Sequence, residues 1–508
     1  MMAGRLAGLS LSAVAVAAFF ALVVLPRATL PMADGDAWWH IHAGEEILAS
    51  GAVPTTNTWT IAGEGFRWIS QDWLSNVGMA LLFNAGPWGV AWLSLAFAVA
   101  VVGAFALLWH AIGRRSPHAG WLGWLLVLTA GLVVAGPIIG IRVQTLDLLL
   151  SAAAVWILWT YLADPRPWRI LLLVPLALAW VNLHAGWVML FLLGGAVLVG
   201  EAVDRLARRR LEREPLGWRP LGWLAAGLAG AAAALALNPN GVDIYAYPLT
   251  TASIAAHRDF LVEWSPPNPG SFEGQVIIAF LLLGVAPLLA FGARRMPAAD
   301  LLWLVGIAIL ALGAARFALF LGPIGGAILA LHAGPLLAAS GQGRTVVTWS
   351  HRLARPPRTT TIARVNAVLL AAVVAAGLAL AVVRAAPASQ AQAIADSVPM
   401  RAAAWLDEHA ADARIFNTYS WGGYLGRRLP QARVFIDGRS DIYGDDPIQR
   451  FAATHDVTTD PSVLLDEARI DTVLVRPSAP LTAWLEGSDA WARTYSDDAS
   501  VIFRRTEP

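Results

Sequence analysis

The sequence predicts a polytopic α-helical membrane protein, with about 11 membrane helices and a small α/β domain at its C-terminal end. Three observations predict it. Hydrophobic residues make up 57% of the 508 residues and charged residues only 14%, with a mean hydropathy of +0.58, outside the range of soluble chains. Roughly eleven apolar stretches approach the ~20 residues that cross a bilayer. Beyond residue 386 the long apolar runs give way to short, alternating strand-like and helix-like segments.

In chain order the expected spans are 6–26, 88–111, 119–140, 143–163, 169–184, 186–204, 218–237, 275–293, 299–315, 317–337 and 364–385. Arg5 ahead of the first apolar core resembles a signal peptide. That core is long for the role and no small-x-small site follows Pro26, so an uncleaved anchor is expected. Arg114-Arg115, Arg166, Arg169, Arg205 through Arg219, Arg294-Arg295 and Arg344 through Arg364 fall on alternate connections. The intervening connections are Arg-poor, apart from Arg67, Arg142, Arg258 and Arg316. This positive-inside pattern implies a cytoplasmic N-terminus and an extracytoplasmic C-terminal part. The Ala, Gly and Leu richness, with Arg as the only long basic residue, points to a high-GC bacterial genome, hence to a multi-pass protein of a bacterial cytoplasmic membrane.

The chain therefore divides into a transmembrane domain, 1–386, with a long first outer loop at 27–87, and a soluble domain, 387–508. In that domain a helix at Pro399–His409 precedes the β-rich Arg414–Tyr419, and Arg433–Arg439 reads as a second strand. Helices near Pro447–Thr454 and Ser462–Arg469 lead to a strand at Thr472–Arg476, which suggests a largely parallel sheet. No Gly-x-Gly-x-x-Gly or Walker-type loop is present, so nucleotide binding is not indicated. The net charge is +1, every basic residue is Arg, and no basic tract marks a nucleic-acid partner. The absence of Cys excludes disulfides, thiolate catalysis and Cys-based metal sites.

The most informative segment is Asp34-Gly-Asp-Ala-Trp-Trp-His-Ile-His-Ala-Gly-Glu-Glu-Ile47, directly after the first span. Trp39, Ala43 and Ile47 share one helical stripe, while Asp36, His40 and Gly44 share the next. This predicts a helix in the membrane interface, apolar side toward lipid and acid side toward a water-facing cavity. A second motif, Arg67-Trp-Ile-Ser-Gln-Asp-Trp73, lies in the same loop.

Polar residues at membrane depth are costly and usually functional. On the expected topology Arg142, Gln144, Asn182, His184, Asn238, Asn240, Glu263, Trp264 and Arg316 reach the same outer face as Asp34, Asp36, His40, Asp72 and Trp73. A carboxylate against an apolar wall can act as general base on a hydroxyl. An Arg can clamp a phosphate, and Trp faces can stack on sugar rings. Together these groups suit transfer from a lipid phosphate to a hydroxyl, with Arg142 or Arg316 stabilising the phosphate as charge develops.

The layout resembles the GT-C superfamily of integral-membrane glycosyltransferases, in a largely uncharacterised bacterial branch. The matching pieces are Asp36-Ala-Trp-Trp-His40 with Gly44, Gly51-Ala-Val-Pro54, Gln71-Asp-Trp-Leu74, Arg142-Val-Gln144, Asn182-Leu-His184, Asn238-Pro-Asn-Gly241, Glu263-Trp264, and Trp421-Gly-Gly-Tyr424 with Phe435-Ile-Asp-Gly-Arg439. The resemblance covers most of the chain. It implies a polyprenyl-phosphate-linked sugar donor, an extracytoplasmic glycan, lipid or protein acceptor, and contact with membrane lipids. It matches Asp36 to the catalytic acid, with Asp34 as alternate or metal neighbour and His40 one turn on. Any metal would be a divalent cation, Mg or Mn, held by Asp34 and Asp36. Two departures bear on that metal. Asn57 stands where an acid is expected, and the acids read Asp-Gly-Asp rather than adjacent.

Each residue also has a structural reading. Asp34 and Asp72 can cap helices, Asp36 can be a first-turn acid, and His40 and His42 can be plain interfacial polar groups. Arg142 and Arg316 can pair with headgroups, Asn182 and His184 can satisfy a tight turn, and the Trp residues can anchor the interface. Asp437 and Arg439 are expected as a structural pair at a strand end. Two other functions compete with the transferase. A lipid or glycan transporter, or flippase, would need a polar path inward, for which only Asp147 and His110 are available. A non-catalytic cell-envelope scaffold would depend on Trp421–Arg439 instead.

Overall fold

A computed structural model describes residues 9–115, 121–211, 213–338, 345, 348–349 and 351–506. Arg5, residues 6–8 of the first expected span, 119–120 of the third, Arg344 and the last two residues of the C-terminal domain lie outside the described residues.

All eleven apolar stretches form helices. Among the described residues seven are long and apolar enough to cross a membrane: Leu11–Ala28, Gly89–Arg115, Gln144–Ala163, Ala185–Leu206, Phe272–Arg295, Ala315–His332 and Thr360–Ala385. Trp121–Ala135, Pro167–Leu183, Trp218–Leu235 and Ala298–Gly313 are shorter or less apolar. Local chemistry sets the ends. The Thr359 hydroxyl accepts from the Ile362 N–H at 3.2 Å, and Ser271 accepts from Gly274 at 3.0 Å. One continuous apolar core joins these helices other than Thr360–Ala385, from Phe19 through Trp159, Trp180 and Leu224 to Leu331, while Thr360–Ala385 packs on the first helix, with Gly377 against Ala21.

The C-terminal domain holds five strands: β1 Arg414–Asn417, β2 Arg433–Val434, β3 Thr472–Val475, β4 Trp491–Ser496 and β5 Val501–Arg505. Their order is β2-β1-β3-β5-β4. The β1 pairs with β2 and β3 are parallel, while β5 pairs antiparallel with both β3 and β4, so the sheet is mixed rather than largely parallel. The β4–β5 hairpin went unseen in the sequence because Arg493, Thr494 and Arg504 interrupt its apolar pattern. Its turn is held by Asp497, whose carboxylate accepts from the Ala499 and Ser500 N–H groups at 2.9 and 2.8 Å. The expected strand Arg433–Arg439 stops at Val434. The Asn417 carboxamide then accepts from the Phe435 N–H at 3.0 Å, and the chain turns away as Asp437-Gly438-Arg439.

The two parts share a second core, in which Met32, Trp38, Ile41, Met79, Phe97 and Val143 pack with Val398, Leu406, Trp421, Leu425 and Ile502. The Asp36–Ser50 helix lies between them, and this corrects its expected placement. Its apolar side faces protein rather than lipid, with Trp38, Trp39, Ile41, Ala43 and Ile47 all buried. Burial of Trp38, Trp39 and Trp68 likewise makes them packing groups, not interface anchors. Gly44 permits the close crossing, since a Cβ there would stand 2.0 Å from the Asn76 carbonyl oxygen.

The opposite end of the helix bundle carries its own buried acids, which the sequence reading did not single out. Asp300 meets Arg115 and His332 at 2.8 Å each, Asp204 meets Arg209 at 2.8 Å, and Glu201 pairs with Arg213. They neutralise arginines where the helices end. Asp147 does not join them; its partners are Trp180 and His184. It sits at the Asp36 end, in the first turn of Gln144–Ala163.

Candidate active site

Asp36 opens its helix at the junction of membrane body and C-terminal domain. Asp34 does two jobs here. One carboxylate oxygen accepts from the Asp36 N–H at 2.8 Å, capping the helix, and the other pairs with Arg142 Nε. The backbone of Gly438 lies directly on the Asp36 carboxylate, and a Cβ there would fall 1.9 Å from Oδ1. This contact explains why Asp437-Gly438-Arg439 leaves the sheet. Burial pushes the Asp36 carboxyl up to about 7, helped by Glu263 and Asp437 nearby and opposed by the Trp39 indole and Arg316.

From Asp34 a chain of charges crosses the site. Arg142 Nη1 reaches Glu263 Oε2 at 3.4 Å, and Arg316 Nη1 reaches Glu263 Oε1 at 3.7 Å. The Arg316 guanidinium also stacks 4.1 Å over the Trp264 ring. Five of the expected residues thus form one connected group with Asp36 beside it. Gln144 starts its helix next to them, half-buried, and its side chain makes no hydrogen bond among the described residues.

Beneath Asp36 lies a buried layer. His40 Nδ1 bonds Asn76 Oδ1 at 2.6 Å and approaches Asp72 Oδ2 at 3.4 Å. Burial lowers His40 to about 3, so the ring stays neutral, and burial raises Asp72 to about 6. Asp72 occupies the cap position of Trp73–Phe83, but its side chain turns to His40 and Asn76 rather than to a free N–H. The Trp73 indole donates to Asn182 Oδ1 at 2.7 Å, and the Asn238 carboxamide donates to the Gln71, Val181 and Asn182 oxygens at 3.0–3.2 Å. These bonds pin the first loop to two helix ends.

His184 has a partner that was not counted with the site. Its Nδ1 donates to Asp147 Oδ2 at 2.6 Å, and Trp180 Nε1 donates to Asp147 Oδ1 at 2.7 Å. The signal for Asp147 was a carboxylate in the first turn of an apolar helix, beside the Arg142-Val-Gln144 motif. Gly186 makes room for it, since a Cβ would stand 2.3 Å from the carboxylate. Gly186→Ala is therefore expected to cost about 1–3 kcal/mol by forcing the carboxylate off both partners. Thermal unfolding checks this, and an unchanged midpoint contradicts the crowding.

The C-terminal domain closes the site through a fully buried ion pair. Arg439 contacts Asp437 at 2.6 Å and donates to Asn57 Oδ1 at 2.9 Å. Its guanidinium lies 4.0 Å from the Trp59 ring and 4.4 Å from the Trp68 ring. The Tyr443 hydroxyl donates to Asp437 Oδ1 at 2.8 Å. The pair is buried and bonded, and Asn57 supplies Arg439 with a neutral acceptor beside the charge of Asp437. The 238–273 loop is fastened too, by Tyr247 to Asp441 at 2.9 Å and by the Ala256 N–H to Asp445 at 2.8 Å.

Among the described residues no group of three or more His, Asp or Glu side chains is arranged to hold a metal ion. Both Asp34 oxygens are committed, to Arg142 and to the Asp36 N–H. The donor set thus does not fit Mg or Mn.

No protein-family description matches the chain, and no curated protein matches it. Solved structures do. The archaeal oligosaccharyltransferase AglB from Archaeoglobus fulgidus, in complex with an inhibitory peptide and a dolichol-phosphate, superposes with a TM-score of 0.59 at 11% identity, covering 97% of this chain and 74% of that one. The same organism's oligosaccharyltransferase tethered to an acceptor peptide gives 0.57 at 12%, with 97% and 74% covered. ArnT from Cupriavidus metallidurans, bound to undecaprenyl phosphate, gives 0.51 at 14%, with 96% of both chains covered. The chain shares its fold with these solved structures over almost its whole length.

Proposed function

We propose that this protein is a membrane glycosyltransferase that moves a sugar from a polyprenyl-phosphate donor to an extracytoplasmic glycan, lipid or protein acceptor. One observation carries the proposal: a carboxyl raised to about 7, Asp36, stands beside two arginines where a membrane helix bundle meets a covering domain. The dolichol-phosphate and undecaprenyl phosphate bound by the structural neighbours support the donor class. The Arg placement supports a cytoplasmic N-terminus, which puts the site outside.

In the proposed mechanism Asp36 takes the proton of the acceptor hydroxyl. The acceptor oxygen attacks the anomeric carbon, and the bond from that carbon to the phosphate oxygen breaks with its electron pair left on the phosphate. Arg142 and Arg316 stabilise that charge. A single displacement inverts the anomeric configuration. Asp34 orients Arg142, Trp264 orients Arg316, and neutral His40 with Asp72 and Asn76 supports the Asp36 helix from below.

The test is release of polyprenyl phosphate, followed by mass spectrometry, when the purified protein meets a panel of polyprenyl-phosphate sugars and envelope glycans. Release with sugar appearing on an acceptor is expected, and no release from any donor refutes the proposal. A base must be unprotonated, so the rate should rise with pH through about 7 and fall nearly tenfold per unit below it. A flat profile from pH 5 to 8 would remove Asp36 as the base.

A further inference from the structure

We propose that Glu263 is a stand-in for the donor's phosphate: it holds Arg142 and Arg316 apart and in place until the incoming phosphate displaces it. The proposal rests on the donor class given above. Two guanidiniums repel each other unless an anion lies between them. Here a single carboxylate supplies it, offering one oxygen to each. That is the role two oxygens of a phosphate would fill.

Three features make Glu263 displaceable rather than permanent. Its contacts, 3.4 and 3.7 Å, are longer than the ~2.8 Å of a strong charge-assisted hydrogen bond. Each arginine has a second support that does not involve Glu263, Asp34 for Arg142 and the Trp264 face for Arg316. Both arginines therefore stay in position when the carboxylate leaves. Glu263 also sits on one short turn, Val262–Trp264, whose first residue is 85% exposed. The Glu263 side chain itself is 28% exposed, so it can rotate into solvent while the turn, and with it the Trp264 face, stays in place. The buried pair Asp437–Arg439 shows the contrast, with a 2.6 Å contact and almost no exposure.

Glu263 also faces Asp36, together with Asp437, Arg316, the Trp39 indole and Tyr419. Removing its charge should ease ionisation of Asp36.

The experiment compares wild type with Glu263→Gln, full-length in nanodiscs, and measures binding of undecaprenyl phosphate by intrinsic Trp fluorescence. The Gln variant is expected to bind about fivefold to tenfold more tightly, because two arginines lose a competing anion. Adding Arg316→Gln should cancel the gain. The acid limb of the transfer rate should also move to lower pH in Glu263→Gln. Equal or weaker binding by Glu263→Gln, while wild type binds, overturns the stand-in and leaves the donor class untouched. Binding by neither protein overturns the donor class and this proposal with it.

Discussion

Asp36→Asn is expected to lower sugar transfer by about 10²–10⁴-fold, the size of a lost general base. The fold should survive. Asn has nearly the shape of Asp and fits under Gly438, where the space is tightest. The wild-type carboxyl gains little from its surroundings, since burial and the neighbouring Glu263 and Asp437 all oppose its charge. A neutral amide removes that opposition, so the unfolding midpoint should be unchanged or slightly higher. This pairing of lost rate with retained stability separates a base from a structural acid. Asp34→Asn makes the control: it loosens Arg142 and should impair donor binding more than the proton transfer. If Asp36→Asn and Asp34→Asn, singly and together, leave the rate within twofold of wild type, the mechanism is wrong.

Arg439→Ala carries the largest expected effect on stability. Removing one partner of a buried pair leaves an uncompensated charge, at a cost of about 3–5 kcal/mol. The substitution strands Asp437 and empties the gap between Trp59 and Trp68. It also breaks the Asn57 bond that ties the first loop to the C-terminal domain. The expected result is a clearly lower unfolding midpoint and protease cleavage in the 52–70 loop at temperatures where wild type resists. The comparison is Arg433→Ala, whose contact with Glu64 at 2.9 Å is exposed. That pair should contribute about 0–1 kcal/mol. Similar effects from both substitutions would mean the Arg439 pair does not seal the loop.

Much of the site was legible before the structure. Asp34, Asp36, Arg142, Glu263 and Arg316 stood out because charged residues at membrane depth are costly and usually functional. Their shared end followed from counting spans between them. Asp147 was not joined to the site because a first-turn carboxylate does not reveal its partner in the sequence. That partner, His184, is 37 residues away. The strand after Val434 was over-extended because Phe435-Ile436 reads as β, while the cause of its ending is the helix beneath Gly438.

The amino-acid sequence by itself determined the class of the protein, the helix positions and the segment around Asp36. Those features depend on local quantities: the transfer of apolar side chains out of water, and hydrogen bonds formed within a few residues. Only the tertiary structure decided what covers the Asp36–Ser50 helix, and that Glu263 joins two arginines. The same holds for Arg439, which reaches back 382 residues to Asn57. An exposed apolar stripe is equally well buried by lipid or by protein, and the stripe alone does not distinguish them. The choice was made by Gly44 and Gly438, where a missing side chain lets backbone approach closely enough to exclude lipid and water together.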